Sequence, residues 1–361
     1  MDQVHVVRHK VLVEGRSARA TAREMGLSRN TVRRYLARAA PERVEASSRP
    51  TPVLSRVGPR IAEVLADARV PPGVLNLLLG PGRLGAELVG REEVSGVTFT
   101  GSVPVGRSIQ AVAVPRGAKV QMELGGHNAA IVLPDVDPGE AAGAIIAAAM
   151  GSTGQKCTAT RRIIAVGAAY EALVAELSAR VTALTVGDGM VEGVDVGPLV
   201  SARAADEVDS AMKLALGEGA EILAQASCPP RLQGAYVAPT LLSGTPALTI
   251  SQEEVFGPVA TVLRAADLSD AIAIANGTRF GLTAALFTCD ERAVRRCLQE
   301  LDAGVIKVNA PTTGSELHAP FGGVKDSSFP APREQNAASA AEFFTWSTTA
   351  YLRTGTPCRT R

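Results

Sequence analysis

The sequence predicts an α/β fold, in which helices and strands alternate along most of the 361 residues. Short apolar runs at 94–101, 119–126 and 128–134 are separated by stretches with helical spacing. Apolar strands that alternate with helices are typical of a largely parallel sheet with helices on both faces. The longest apolar run, AAGAIIAAAM at 141–150, is too short to cross a bilayer and predicts a buried helix.

The segments before these strands continue the alternation. The run VLNLLLG at 74–80 predicts a short buried strand, and PGRLGAELV at 81–89 predicts a helix. After the strand at 94–101, the segment SVPVGRSIQAVAV at 102–114 predicts another helix. A chain of this length is sufficient for two or three domains.

The cysteines and the N-terminus indicate the compartment. The five cysteines are scattered, with no pairing pattern and no metal-ligand spacing, at positions 157, 228, 289, 297 and 358. This usage favours a reducing cytoplasm and predicts no metal site. The N-terminus is polar and basic and lacks the apolar stretch of a signal peptide. We therefore expect a cytoplasmic protein with no membrane partner.

The charges are divided unevenly along the chain. Residues 1–60 hold 13 Lys and Arg against 5 Asp and Glu, whereas the rest holds 24 against 31. Residues 17–39 predict two short helices, with the turn at Gly26 and an N-cap at Ser28. An apolar contact between these helices would consist of Ala22, Met25, Leu27, Val32 and Leu36.

The second of these helices presents the candidate DNA contacts, which are Arg29, Asn30, Thr31, Arg33 and Arg34. The first 40 residues resemble the N-terminal helix-turn-helix of transposases from a bacterial insertion-sequence family, which implies weak DNA binding in a major groove. The alternative is a basic helical hairpin without a DNA target. Residues 41–60, with four prolines, predict a linker.

Three stretches of the sequence after residue 60 contain candidate catalytic or ligand-binding residues. In the first, Gly101, Ser102 and Gly106 lead from a strand into a helix, where backbone N–H groups and the helix dipole favour a phosphate. A plain turn is the alternative. In the second, Glu123 ends an apolar strand before two glycines. A buried carboxylate there would have a raised pKa suited to a general base, and a capped surface glutamate is the alternative.

The third stretch is GQKCTAT at 154–160, which contains Cys157. A cysteine placed where a turn meets a helix N-terminus would be stabilised as the thiolate, and the same N–H groups would bind an oxyanion. The alternative is a small buried apolar residue, because lone cysteines often have that role.

These stretches occur in this order with EEVFGPV at 253–259, KVNAPTTG at 307–314 and PFGGVKDSS at 320–328. Together they resemble the NAD(P)-dependent aldehyde dehydrogenase superfamily from about Ile61 to Arg353. The segment at 308–346, from VNAPTTGSELHAPFGGVKDSSF through PREQ and EFFTW, is most similar to the branch acting on α-ketoglutarate semialdehyde (2,5-dioxopentanoate). The resemblance implies that Cys157 forms a thioester with the aldehyde substrate and that Glu123 activates water. It implies contacts with NAD or NADP from Gly101, Ser102, Gly106, Leu124, Glu254 and Phe256.

The resemblance also implies a domain organisation. After the 1–40 head and the 41–60 linker, we expect a partial Rossmann-like NAD(P)-binding domain at 61–125 and a catalytic domain at 126–328. The tail at 329–361 includes FFTWSTTAYL, a candidate strand for pairing with a second copy in a homo-oligomer.

Several departures from the family predict impaired or absent activity. The first third of the family chain has no counterpart, including a Pro-Trp-Asn stretch with an oxyanion donor, and the single tryptophan here is Trp346. Asp326 and Asn336 stand where glycine is usual, and FPAPREQ carries an extra residue. The alternatives are a DNA-binding helix-turn-helix fusion and a nonfunctional gene remnant.

Overall fold

The computed structural model describes residues 11, 16–25, 27–28, 30, 32–33, 36, 60, 63–64, 67–71, 73–229, 232–330 and 335–352. The predicted turn residue Gly26, the candidate DNA contacts Arg29, Thr31 and Arg34, and the linker at 41–59 lie outside these residues. The chain divides into two compact units, Met1–Arg91 and Glu92–Arg361.

The first unit contains helices α1 (Ala18–Glu24) and α2 (Gly82–Val89). The Ser17 hydroxyl caps α1 by accepting a hydrogen bond of 3.2 Å from the Ala20 N–H. A small apolar cluster lies beside it, with Ala22 and Val32 buried against Ala18, Met25, Leu27 and Leu36. This cluster includes all five residues of the predicted interhelical contact.

The prediction of a buried strand at 74–80 is wrong. The segment forms no strand, and Leu75, Leu78 and their apolar neighbours are exposed, with Val74 at 65% of its surface. A strand needs a neighbouring strand for its N–H and C=O groups, and no described residue pairs with this segment. The helix predicted next, at 81–89, is confirmed as α2.

The second unit begins with a three-stranded sheet. Strand β1 (Gly96–Thr100) leads into α3 (Val103–Ala113), and a 3₁₀ turn (Val114–Arg116) leads to β2 (Lys119–Glu123). β1 and β2 are parallel, with Thr100 opposite Glu123. β12 (Ser328–Phe329) lies antiparallel to the other edge of β2, with Ser328 opposite Glu123. The predicted strand–helix–strand order is confirmed here.

A seven-stranded sheet forms the centre of this unit. In spatial order it runs β10-β9-β3-β4-β7-β6-β5, and every neighbouring pair is parallel except β5 with β6. Its strands are β3 (Asn128–Val132), β4 (Thr160–Val166), β5 (Glu221–Gln225), β6 (Thr240–Ser243), β7 (Val259–Ala265), β9 (Thr283–Phe287) and β10 (Val305–Val308). A short antiparallel pair, β8 (Phe280–Gly281) with β11 (Val324–Lys325), lies apart from it.

Helices cover both faces of the seven-stranded sheet, as predicted. Along β3, Ala130 and Val132 face one apolar cluster, whereas Ala129 and Ile131 face the other. The first cluster is covered by α4 (Pro138–Met150) and α5 (Ala169–Ala183), and the second by α7 (Leu268–Asn276) and α8 (Glu291–Glu300). This alternation follows from the two-residue period of a strand.

The remaining elements lie at the margins of this core. Helix α6 (Ala202–Gly217) packs with the 3₁₀ turn Thr249–Ser251, and α9 (Ala338–Phe343) lies near the C-terminus. The apolar run at 141–150 is confirmed as part of the buried helix α4. Within the described residues, no helix combines the length and apolar character needed to span a membrane.

One buried side chain predicts a pH-dependent stability. Burial, together with the positive charges of Arg162, Arg161 and Arg279, holds the pKa of His127 well below its usual value near 6.5. As the pH falls through about 6.5, the unfolded chain binds a proton that the folded chain does not. The free energy of unfolding should therefore fall by up to about 1.4 kcal/mol per pH unit.

Urea denaturation between pH 7.5 and 5.5 measures this effect. His127→Gln should reduce the pH dependence, whereas the same change at the exposed His318 provides the control. Equal pH dependence in wild type and His127→Gln would contradict the prediction.

Candidate active site

A cavity of about 700 Å³ lies in the second unit and brings together residues from distant parts of the sequence. Its wall combines the end of β1, the residues after β2, the loop before β4 and three later segments. The lining residues are Thr100, Gly101, Ser102, Leu124, Gly125, Gln155, Lys156, Cys157, Thr158, Glu254, Phe256, Gly314, Ser315 and Phe321. The candidate nucleophile and five of the six candidate cofactor contacts share this wall.

The loop that carries Cys157 begins with an unusual backbone. Helix α4 ends at Met150, and Ser152, Thr153 and Gly154 then adopt left-handed conformations. Gly154 has a φ of 65°, and a Cβ there would lie 2.1 Å from the Gly257 carbonyl oxygen. Only glycine combines this backbone with such a close approach. The backbone geometry of this loop therefore requires glycine at position 154.

Two buried side chains anchor this loop. The Asn128 amide donates hydrogen bonds to the carbonyls of Cys157 at 2.7 Å and Ala159 at 2.8 Å. Its oxygen accepts a 3.0 Å hydrogen bond from the Thr283 N–H, which ties the loop to β9. The Arg161 guanidinium donates to the Gly257 carbonyl at 2.5 Å and to the Gly154 carbonyl. These contacts hold the residues on either side of Cys157 against the sheet.

The prediction that Cys157 lies at a helix N-terminus is wrong. A turn after the 3₁₀ segment Gly151–Gly154 carries Cys157 directly into β4, which starts at Thr160. The loop connects to a strand, so Cys157 does not lie at the N-terminus of a helix. Stabilisation of the anion comes instead from the backbone N–H groups of Cys157 and Thr158.

The expected stabilisation of the free thiolate is also wrong. Burial, followed by the negative charges of Glu254 and Glu123, raises the pKa of the Cys157 thiol above its ordinary value. The two backbone N–H groups oppose this shift without reversing it. A buried thiol beside two carboxylates is therefore mostly protonated at neutral pH.

This shift predicts how Cys157 reacts with an alkylating agent. Its rate should reach half of its maximum at a higher pH than that of an ordinary cysteine, because only the thiolate reacts. Glu254→Gln should move the profile to lower pH by removing a nearby negative charge. Peptide mass spectrometry after iodoacetamide treatment measures this, with the exposed Cys289 as an internal reference. An unmoved profile in Glu254→Gln would contradict the assignment.

Glu123 is buried, so the alternative of a capped surface glutamate is wrong. Its side chain is 3% exposed at the end of β2, and its Oε1 accepts a 2.5 Å hydrogen bond from the Ser328 hydroxyl. The next residues, Leu124 and Gly125, line the cavity. Glu123 also acts electrostatically on Cys157, which places the two groups in one site. A raised pKa for Glu123 stays a prediction.

The other side of the cavity has the features of a phosphate-binding turn. Ser102 is the N-cap of α3 but its side chain makes no capping hydrogen bond, so N–H groups of the first turn remain for a phosphate. Gly106 allows α3 to approach β2, because a Cβ there would lie 2.7 Å from a Leu124 methyl group. This is the close helix–strand contact that a phosphate-binding turn requires.

Glu254 and Phe256 complete that side. Glu254 Oε1 accepts a 3.1 Å hydrogen bond from the Gly126 N–H, and a Cβ on Gly125 would lie 2.2 Å from its Oε2. Burial raises the pKa of Glu254. Phe256 lies half-exposed on the wall. A carboxylate held in this way can accept hydrogen bonds from sugar hydroxyls.

Sequence reasoning missed several residues of the site. The wall also includes Gln155, Lys156, Thr158, Gly314, Ser315 and Phe321, which all lie in or beside motifs of the sequence. Asn128 and Arg161 were not predicted as anchors. One sequence feature could have revealed them, because polar residues inside the apolar strands β3 and β4 need internal partners.

The sequence also matches a family of known proteins. A family model described as the aldehyde dehydrogenase family matches residues 47–349. The chain belongs to the aldehyde dehydrogenase family. The match includes Cys157, Glu123 and every residue that lines the cavity.

The chain is similar to several named members of the aldehyde dehydrogenase family. An alpha-ketoglutaric semialdehyde dehydrogenase of Bacillus subtilis (strain 168) is 40% identical over 302 residues, covering 81% of this chain and 61% of that protein. An alpha-ketoglutarate semialdehyde dehydrogenase of Haloferax volcanii is 39% identical over 308 residues, covering 84% and 63%. The chain therefore spans about three fifths of the length of these relatives.

A solved structure supports the aldehyde dehydrogenase fold. The crystal structure of Mycobacterium tuberculosis aldehyde dehydrogenase complexed with NAD+ is 32% identical and superposes with a TM-score of 0.78. The match covers 84% of this chain and 62% of that one.

Among the described residues, no group of three or more His, Cys, Asp or Glu side chains is placed to hold a metal ion.

Proposed function

We propose that this chain oxidises an aldehyde to a carboxylate with NAD or NADP, through a thioester on Cys157. One observation carries the proposal: Cys157, the Glu254 carboxylate and the N-terminus of α3 line a single cavity, with Glu123 buried at its edge. Membership of the aldehyde dehydrogenase family supports it.

The first step takes place at Cys157. The thiol releases its proton to solvent, and its sulfur attacks the aldehyde carbon to form a C–S bond as the C=O π bond opens, which places a negative charge on the former carbonyl oxygen. The N–H groups of Cys157 and Thr158, which already favour the thiolate, are the donors available to that oxygen. NAD or NADP bound on the α3 side of the cavity would supply a hydride acceptor for this carbon, and loss of the hydride would leave a thioester on Cys157.

The second step releases the product. Glu123 takes a proton from water as the water oxygen attacks the thioester carbon. The C–S bond breaks, the carboxylate leaves, and Cys157 is restored. The burial of Glu123 suits this role, because a carboxylate removed from bulk water is a stronger base.

The cofactor contacts follow from the wall of the cavity. Gly101, Ser102 and Gly106 would hold the pyrophosphate at the N-terminus of α3, and Leu124 would pack beside it. Glu254 would accept hydrogen bonds from the ribose hydroxyls next to the nicotinamide, and Phe256 would lie against that ring.

We propose α-ketoglutarate semialdehyde as the substrate. Two relatives at 39–40% identity carry the names of dehydrogenases for this compound, and the tail sequence favours the same branch. Absorbance of the reduced cofactor, with each of NAD and NADP, tests both the reaction and the substrate. Turnover that requires Cys157 supports the proposal. The absence of turnover from folded protein would overturn it and favour an impaired enzyme or a nonfunctional remnant.

A second candidate function concerns the head at residues 1–40. We infer weak DNA binding from the apolar cluster around Ala22 and Val32, because it matches the predicted contact between two helices. Asn30 and Arg33 of the second helix are exposed. Fluorescence anisotropy with duplex DNA at two salt concentrations tests this, since phosphate contacts weaken with added salt. Binding that is unchanged by Arg33→Ala and by salt would contradict it.

The tail supports a proposal about assembly. Residues 345–352 form no strand within the chain, yet Trp346, Tyr351 and Leu352 are largely exposed. We propose that this segment pairs with a second copy in a homo-oligomer. Light scattering of the full chain, compared with a variant carrying Trp346→Ser and Tyr351→Ser, should show a smaller mass for the variant.

A further inference from the structure

Ser328 lies in a hydrogen-bond arrangement that fixes the direction of its proton. Its oxygen accepts a 2.6 Å hydrogen bond from the Gly323 N–H and donates a 2.5 Å hydrogen bond to Glu123 Oε1. A backbone N–H can only donate, and an ionised carboxylate can only accept. The Ser328 hydroxyl is therefore held as a donor towards the ionised form of Glu123.

The position of Ser328 is set by long-range pairing. Strand β12 lies antiparallel to β2 with Ser328 opposite Glu123, and the Leu124 N–H donates to the Ser327 carbonyl at 2.8 Å. Ser328 is 2% exposed, so its hydroxyl has little contact with solvent. A buried, charge-assisted hydrogen bond of this length is stronger than one between neutral groups.

The neighbouring serine has a different role. The Ser327 hydroxyl donates to the Gly125 carbonyl at 2.7 Å and accepts a 3.0 Å hydrogen bond from the Gly281 N–H. Both serines are buried, and the hydroxyl of each makes two hydrogen bonds. Of these two hydroxyls, only that of Ser328 contacts a carboxylate. Ser327 is therefore a matched control for loss of a buried hydroxyl.

We propose that Ser328 is a positioning residue that holds the Glu123 carboxylate oriented for hydrolysis of the thioester. This inference rests on the proposed function, because the thioester forms on Cys157. Ser328 does not touch the reacting atoms. Its hydrogen bond limits the rotation of the Glu123 carboxylate, which is the group that takes a proton from water.

The first test separates the two chemical steps. In stopped-flow measurements, Ser328→Ala should keep the rapid release of one reduced cofactor per site and lower steady-state turnover by about tenfold. Ser328→Thr retains a hydroxyl and should restore turnover. Ser327→Ala should leave the ratio of the two rates unchanged even where it lowers the melting temperature.

The second test needs neither aldehyde nor cofactor. Because the Glu123 charge contributes to the raised pKa of Cys157, a Glu123 carboxylate released by Ser328→Ala should move the alkylation profile of Cys157 along the pH axis. Ser328→Thr should restore the wild-type profile, and Ser327→Ala should not move it. If Ser328→Ala fails to fold, Ser328→Cys keeps nearly the same volume with a weak donor, and peptide mass spectrometry resolves its label from that on Cys157.

The outcomes are distinguishable. If wild type releases no reduced cofactor but the alkylation profile shifts in Ser328→Ala alone, the proposed function fails and the control of Glu123 by Ser328 stands. If wild type turns over and Ser328→Ala matches it in both tests, the inference is overturned. Equal effects from Ser327→Ala would also overturn it, because they would indicate general loosening of β12.

Discussion

Replacing Glu123 by glutamine is expected to allow one release of reduced cofactor per chain and then to stop turnover. Glutamine fills the same buried site at the end of β2 but cannot take a proton from water. Formation of the thioester should continue, and its hydrolysis should slow by about 10²–10⁴-fold. Stopped-flow absorbance of the reduced cofactor measures the rapid phase and the following steady rate in one experiment.

A surface glutamate provides the control for this substitution. Glu300→Gln removes a carboxylate that pairs with Arg296 on α8 and should leave both phases intact. Loss of the rapid phase together with turnover in Glu123→Gln would show that Glu123 is needed before the thioester forms. An undiminished steady rate would show that another group activates the water.

Replacing Gly154 by alanine is expected to destabilise the second unit by about 2–5 kcal/mol. The φ of 65° costs an alanine about 1–2 kcal/mol, and its Cβ would lie 2.1 Å from the Gly257 carbonyl oxygen. Relief of that overlap moves the backbone at a further cost of about 1–3 kcal/mol. The movement displaces the loop before Cys157, so the alkylation rate of Cys157 should also change.

Gly151, in the same 3₁₀ segment, is the control for this change. It has a φ of −56°, and a Cβ there would meet nothing within 4 Å. Gly151→Ala should therefore change the free energy of unfolding by less than about 1 kcal/mol. Urea denaturation compares the two variants directly, and equal stabilities would contradict the account of this loop.

The central strands were predictable because local pattern and tertiary contact agree there. β3 is a mostly apolar run that the seven-stranded sheet buries, and the helix α4 is apolar on nearly every side. At 74–80 the same kind of apolar run forms no strand. An apolar composition indicates that a segment favours burial, but it does not specify a partner strand.

Only the local motifs of the site were predictable from the sequence. Glycine turns, a buried glutamate and a cysteine loop are visible locally, and the structure gathers them around one cavity. The groups that position them are not visible in this way, because their partners are distant in sequence. Asn128 contacts a carbonyl 29 residues later, and Ser328 contacts a carboxylate 205 residues earlier.

Predicting the direction of the Cys157 pKa shift would have required the same long-range information. The sequence placed the cysteine after a glycine turn but did not show that β4 follows directly, or that Glu254 lies near the sulfur. Burial and two carboxylates therefore reverse the expected effect on the thiol. The thiolate becomes favourable only when a bound group offsets these charges.

The most direct test of the central claim is the covalent state of Cys157. We would incubate Glu123→Gln with α-ketoglutarate semialdehyde and NAD or NADP, quench in acid, and analyse the peptides by mass spectrometry. The account predicts an acyl group on the peptide containing Cys157, in amounts equal to the reduced cofactor released, and none in Cys157→Ala. Reduced cofactor formed without an acyl group on Cys157, or no acyl group and no reduced cofactor from folded protein, would contradict it.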